Sequence, residues 1–342
     1  MLHGTFSIVR ICLNVGGRRV IAVRNYLNSR YGLRALSFSH KSYARPRSAA
    51  LLDVAVRSRL VATNQFVRNA IFNKLLRAAR VFGSLLLLPA LALQGVLTRR
   101  RVPRLPSAKP PHNGLIAGRE PSIRVLAIGE SSVSGVGLAS SEETVAAATA
   151  RLLARITNRS IAWRSHGLSG ASVREGVRRL LPCVACEPVD LVIVAFGAND
   201  AMEYRSPGGF ADDLEELVRA MRARIGDAAV VIAGVPPMDC FPALPSLLRT
   251  VLGWRSEALQ VAAECLSSRL PRVVVERFAA PIEPRLFTID GFHPNAQAHA
   301  LWGEGIARLA LPLLEAPWPG TKTAKEALSA AAILPLPILG AI

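Results

Sequence analysis

IRVLAIGESSVSGVG, residues 123–137, opens as a run of aliphatic residues, stops at Gly129 and gives way to serines and glycines ahead of a helical segment. A short, almost continuous apolar run closed by turn residues reads as a strand buried on both faces. Similar runs recur at SIAWRSHG (160–167), DLVIVAFG (190–197), AAVVIAGVP (228–236) and RVVVERF (272–278). Helical segments lie between them. The clearest places Phe210, Leu214, Leu217, Val218, Met221 and Ile225 on one face, with Asp212 and Asp213 expected in its first turn. Aliphatic strands alternating with helices predict the α/β class. The expected domain is a three-layer α/β/α, doubly wound, flavodoxin-like fold with a parallel five-stranded sheet over about residues 120–315.

The charge is unevenly placed. The 342-residue chain carries a net charge of +18, yet residues 1–119 hold 21 Lys and Arg against one acid, Asp53. The remainder holds 21 basic and 23 acidic residues, so the high basicity belongs to the N-terminal third and not to the α/β domain. Residues 1–80 are Arg-rich, Ser-containing and poor in acids. They show no clear strand alternation and read as a disordered or targeting extension, of the kind seen in organellar transit sequences, or as a start placed too early. Next comes VFGSLLLLPALALQGVL, residues 81–97, an apolar signal-anchor-like or interfacial segment at the lower length limit for a membrane span. Arg and Lys on both sides leave its orientation undecided. The expectation is membrane association through this segment, with organelle targeting or a soluble protein as the alternatives. Residues 98–119 form a Pro/Arg-rich linker, since closely spaced prolines oppose helix and central strand. Residues 316–342 read as a C-terminal tail.

Functional groups of an open parallel sheet gather at the carboxyl ends of its strands. The first strand ends in GESS, the second runs into GLSGAS, the third ends in GAND, and TIDGFHPNAQ opens the last helix. In this order the four blocks resemble the SGNH or GDSL family of serine hydrolases, over about Ile123 to Leu311. GES at 129–131 matches the nucleophile block, SG at 169–170 the glycine block, GAND at 197–200 the G-x-N-D block and DGFH at 290–293 the D-x-x-H block.

The chemistry is consistent with that resemblance. A serine hydroxyl needs a base to take its proton, and histidine is the usual base at neutral pH. Ser131 follows the Gly129 turn at the end of a strand. Asp290 and His293 are three residues apart before Pro294, a spacing that lets a carboxylate fix the imidazole tautomer and stabilise the imidazolium. The resemblance implies an oxyanion hole made by the Ser131 and Gly170 backbone N–H groups and the Asn199 side chain. Glu130 stands where the family usually has Asp, and a small structural effect is expected of it. Ser132 and Ser134 are rival nucleophiles by composition, Asp200 reads as a turn residue, and His299 reads as a structural histidine. Ala298, Leu301, Trp302, Gly305, Ile306 and Leu309 form the expected buried face of the last helix.

Other chemistries fit less well. GESSVSGVG lacks the endings of a P-loop or dinucleotide site. Cys183 and Cys186 make a lone C-x-x-C, short of a zinc site. No cofactor and no nucleic-acid partner are expected, because no recognised motif accompanies the basic third. The apolar, Pro-rich insertion PPMDCFPALPSLLRTVLGW, residues 236–254, lies after the fourth strand, where it could wall an acyl pocket. This points to a small-molecule ester substrate, including lipids, and to a lipase-like esterase or lysophospholipase. A carbohydrate O-acetyl esterase and a catalytically silent binding module on the same fold are the alternatives.

Overall fold

In the computed structural model, residues 6–15, 18–27, 34–35, 87–278 and 282–315 are described. Two units are distinguished, Met1–Phe72 and Asn73–Ile342. In the first, strands β1 (Phe6–Val15), β2 (Arg18–Leu27) and β3 (Arg34–Ala35) form an antiparallel sheet in chain order. This departs from the expectation of an extension without strands. β-Branched residues recur in both long runs, four of ten in β1 and three of ten in β2, and Gly16-Gly17 stands between them in the sequence. The rest of the expected 1–80 extension and the tail 316–342 lie outside the described residues.

Among the described residues, the second unit opens with helix α1 (Leu88–Arg101), continues through β4 (Asn113–Ile116), β5 (Arg119–Gly129), α2 (Val145–Thr157), β6 (Arg159–Gly167) and the short α3 (Val173–Glu175), and then β7 (Leu191–Ala195) and α4 (Ala198–Met202). It closes with α5 (Pro207–Ile225), β8 (Ala229–Ile232), α6 (Ser246–Ser267), β9 (Val273–Val275) and α7 (Ala296–Glu315). The sheet order is β4-β6-β5-β7-β8-β9. Numbering the five parallel strands from β5 gives the order 2-1-3-4-5, the flavodoxin-like arrangement. A sixth strand corrects the expected count of five: β4 pairs antiparallel with β6 at the edge, Asn113 opposite Arg164 and Ile116 opposite Ile161.

β5 shows why its stretch decides the fold. Leu126 and Ile128 point into the core shared with α5 and α6, while Ile123, Val125 and Ala127 point into the core shared with α2 and α7. Both faces are therefore dry, as the unbroken aliphatic run requires. α5 is capped by Ser206, whose Oγ accepts from the Gly209 N–H at 3.1 Å, and starts at Pro207. All six expected apolar positions on it are buried, but the earlier start moves Asp212 and Asp213 out of the first turn. The buried face of α7 is rotated from the expected one, with His299, Gly303, Ala307 and Ala310 inside and Leu301 half-exposed. α7 packs closely on α2 through these small residues, which a search for large apolar side chains passes over.

The expected linker 98–119 is built into this domain. Pro106 accepts the Gly137 N–H at 2.9 Å, and Ala108 donates to the Ser134 carbonyl at 3.2 Å. Ser141 Oγ donates to the Lys109 carbonyl at 3.0 Å, and His112 accepts the Ser165 N–H at 2.8 Å. Prolines that exclude helix still permit an extended strap, and the strap hydrogen-bonds to the loop after β5 and to Ser165 of β6. The apolar segment 81–97 is described from residue 87 onward. No helix among the described residues is long and apolar enough to cross a membrane.

Candidate active site

The site begins where β5 stops. A side chain at Gly129 would put its Cβ 2.3 Å from the Ala195 carbonyl oxygen on β7, so only glycine lets the chain turn there. The next residues wind into one helical turn, with Val133 donating to the Glu130 carbonyl at 3.0 Å and Val136 to that of Ser131 at 3.0 Å. Ser131 sits partly exposed on this turn. Of its rivals, Ser134 spends its hydroxyl on the Ser131 carbonyl at 3.1 Å, and Ser132 is buried.

Across the carboxyl edge, the loop before α7 holds the second group. His293 Nδ1 lies 2.6 Å from Asp290 Oδ2. The other carboxylate oxygen, Oδ1, accepts from Thr288 Oγ1 at 2.6 Å, Phe292 N at 2.8 Å and His293 N at 2.9 Å. Burial works to raise the Asp290 pKa, but these four hydrogen bonds outweigh it and hold the carboxyl well below the ordinary range. An ionised Asp290 fixes the proton of His293 on Nδ1 and leaves Nε2 as the basic nitrogen. Thr288 was not singled out in the sequence, although a threonine two residues before a turn aspartate is a local hydrogen-bonding pattern that could have marked it.

Ser131 and His293 line one cavity of about 70 Å³, walled by Phe241, Ile282, Leu286, Phe287 and Phe292. Phe241 packs edge-on against both Phe287 and Phe292 at 5.1 Å between centroids. Phe241 comes from the insertion after β8, so that insertion does wall the cavity. No hydrogen bond joins Ser131 to His293 among the described residues, as is common in a site without substrate.

The donors divide into two sets. Gly170 has φ of +83° and open space where a Cβ would be, and neither its N–H nor that of Ser131 is given to another described residue. The Asn199 amide, in contrast, is engaged twice, with the Glu130 carboxylate and with the Ala171 carbonyl at 3.2 Å. Glu130 is the partner that sequence reasoning undervalued. It is buried, and its carboxylate also accepts the Ala198 and Asn199 backbone N–H groups, each at 3.1 Å. Burial pushes its pKa up to about 8 against the pull of those three donors. Glu130 ties the nucleophile turn to the first turn of α4. Asp200 is fully buried and accepts from the Val173 N–H at 3.2 Å, which fastens α3 to the same turn.

A model of the GDSL-like Lipase/Acylhydrolase family matches residues 127–301. A GDSL-like esterase of Mycobacterium tuberculosis is 30% identical over 220 residues, 59% of this chain and 69% of that protein. Among solved structures, a lipase/acylhydrolase from Enterococcus faecalis is similar with a TM-score of 0.41 at 19% identity, covering 55% of this chain and 95% of the other. A carbohydrate esterase family 3 protein from Talaromyces cellulolyticus gives 0.40 at 15% identity, over 56% and 98%. Neither of these two bears on the substrate. The family match extends from within β5, ahead of the Ser131 turn, through the Asp290–His293 loop into α7, and the chain belongs to the GDSL-like lipase/acylhydrolase family, a family of esterases and acylhydrolases.

Proposed function

We propose that this protein hydrolyses carboxylic esters of short acyl chains through an acyl-Ser131 intermediate. The observation that carries the reading is the Asp290–His293 pair at 2.6 Å on the wall of the cavity that Ser131 also lines. In this mechanism His293 Nε2 takes the Ser131 hydroxyl proton as Oγ attacks the ester carbonyl, and Asp290 stabilises the imidazolium. The Ser131 and Gly170 N–H groups, which have no other described acceptor, stabilise the oxyanion. The tetrahedral species collapses, the C–O bond to the alcohol breaks, and His293 returns its proton to the departing oxygen. Water then gives up a proton to Nε2, attacks the acyl carbon and releases the acid with Ser131 restored. Asn199 can join the oxyanion donors by exchanging one of its two present partners.

The acyl specificity follows from volume. A cavity of about 70 Å³ is far below the ~300 Å³ of a pocket that holds a larger ligand, which favours a short acyl chain. This supports short acyl esters over the long lipid chains that the apolar insertion suggested. The test is fluorophosphonate labelling followed by p-nitrophenyl acetate, butyrate, octanoate and palmitate. Labelling at Ser131 is expected, with kcat/KM highest for the short esters. Labelling at another residue would overturn the mechanism, and a maximum at palmitate would overturn the acyl assignment alone.

A further inference from the structure

α1 presents two different faces. Leu91 enters the core, and Gln94 accepts the Leu248 N–H at 3.1 Å through Oε1, which satisfies a donor at the start of α6. Gly95 and Thr98, on the same side, are half-buried. The opposite side carries Leu93, 61% exposed, Val96, 50% exposed, and the exposed Leu97. Those three share one face at i, i+3 and i+4 and run directly into Arg99, Arg100 and Arg101 in the last turn. From residue 87 to residue 119 the chain holds six Lys and Arg and no acid.

The chain leaving α1 leads to the active site. Leu105 and Thr288 both crowd the space where a side chain at Gly137 would begin, and Thr288 holds Asp290. The start of α6, which Gln94 caps, lies within the insertion that carries Phe241 into the cavity. Ile289, between Thr288 and Asp290, is 88% exposed. α1 thus packs on α6, and the strap after it reaches the Asp290–His293 loop at Thr288.

We propose that the outer face of α1, with the arginines that follow it, docks the enzyme onto an anionic lipid surface and presents the active-site rim to it. By itself this helix, 14 residues at 1.5 Å each, reaches about 21 Å, short of the ~30 Å hydrocarbon core. A helix anchored to its own domain by one face, with leucine and valine exposed beside clustered arginine, lies in the interface plane instead. The absence of any acid along this stretch gives the charge complementarity to anionic headgroups and disfavours a basic partner.

The test is sedimentation of the full chain with vesicles of phosphatidylcholine alone and of phosphatidylcholine mixed with phosphatidylglycerol. Binding is expected only to the mixed vesicles and should weaken with added salt. A Leu93→Gln/Val96→Gln/Leu97→Gln variant changes no charge, so it separates this face from other basic segments. It should bind at least tenfold more weakly while hydrolysing a water-soluble p-nitrophenyl ester at the unaltered rate. An Arg99→Ser/Arg100→Ser/Arg101→Ser variant should lose the preference for phosphatidylglycerol. Wild-type binding by the first variant would overturn the proposal. So would a face that proves to hold two copies together, seen as loss of a dimer in the variant without any change in vesicle binding.

Discussion

Gly137 donates its backbone N–H to the Pro106 carbonyl at 2.9 Å, which fastens the turn carrying Ser131 to a segment well upstream of the sheet. Three further bonds, at Ala108, Ser141 and Ser165, continue the attachment, and β4 then completes the sheet edge. A chain beginning at Leu87 should therefore stay folded and retain ester hydrolysis. One beginning at Gly118 would leave these partly buried acceptors and donors without partners, at about 1–3 kcal/mol each where water cannot replace them. It should melt lower and turn over more slowly. Equal melting temperatures and rates for the two would show that the strap is only a covering.

The catalytic assignments separate by what each group does. Ser131→Ala should abolish both turnover and fluorophosphonate labelling. Asp290→Asn keeps the shape but offers His293 a donor in place of an acceptor, which favours the wrong tautomer. Its kcat should fall by roughly a thousand- to ten-thousand-fold, with KM little changed. Steady-state kinetics on p-nitrophenyl butyrate read both outcomes, and a fully active Asp290→Asn enzyme would remove Asp290 from the mechanism.

Glu130 and Asn199 should act as one unit. Removing the carboxyl group in Glu130→Ala leaves the Ala198 and Asn199 N–H groups unpaired in a buried site, at about 1–3 kcal/mol each. A loss of about 2 kcal/mol would lower Tm by roughly 4–8 °C in a domain of this size. Asn199→Ala should slow kcat by up to a hundred- to thousand-fold if its amide reaches the oxyanion. The double variant should be no slower than the worse single one, because the carboxylate works through the amide it holds. Additive losses in kcat would separate the two roles.

The strands and the catalytic blocks were legible because they are local. Each buried strand declares itself by an unbroken aliphatic run, and Ser131, Gly170, Asn199, Asp290 and His293 lie in short blocks at strand ends. The non-local partners were not legible. Nothing in the spacing shows that Glu130 reaches Asn199 on the next strand's turn, or that Pro106 accepts from Gly137. β4 was hidden because an edge strand that follows prolines lacks the apolar signature of a buried one. The face of α7 was misread because it packs on α2 through small residues, which also places His299 inside.

His299 gives the last prediction. It is fully buried, and neither ring nitrogen has a hydrogen-bond partner. Burial, with a smaller contribution from the nearby His293, lowers its pKa from 6.5 to about 4. The unfolded chain therefore binds a proton at this site between pH 6.5 and 4 while the folded chain does not, so stability is lost as pH falls through that window. The full effect of this group by pH 4 is on the order of 3 kcal/mol, from a shift of about 2.5 pKa units at ~1.36 kcal/mol each. Glu130 and Glu276, both pushed up to about 8 by burial, and Asp200, pushed up to about 7, act in the opposite sense and favour the folded state at lower pH. The comparison must therefore be between variants and not along one curve. His299→Leu, which replaces two orphaned nitrogens by an apolar side chain of smaller size, should resist acid better than the parent. The gain in unfolding free energy, measured by urea denaturation, should grow steadily from pH 6.5 to pH 4.5. A gain that stayed constant across that range would mean that His299 is already protonated in the fold and has a partner.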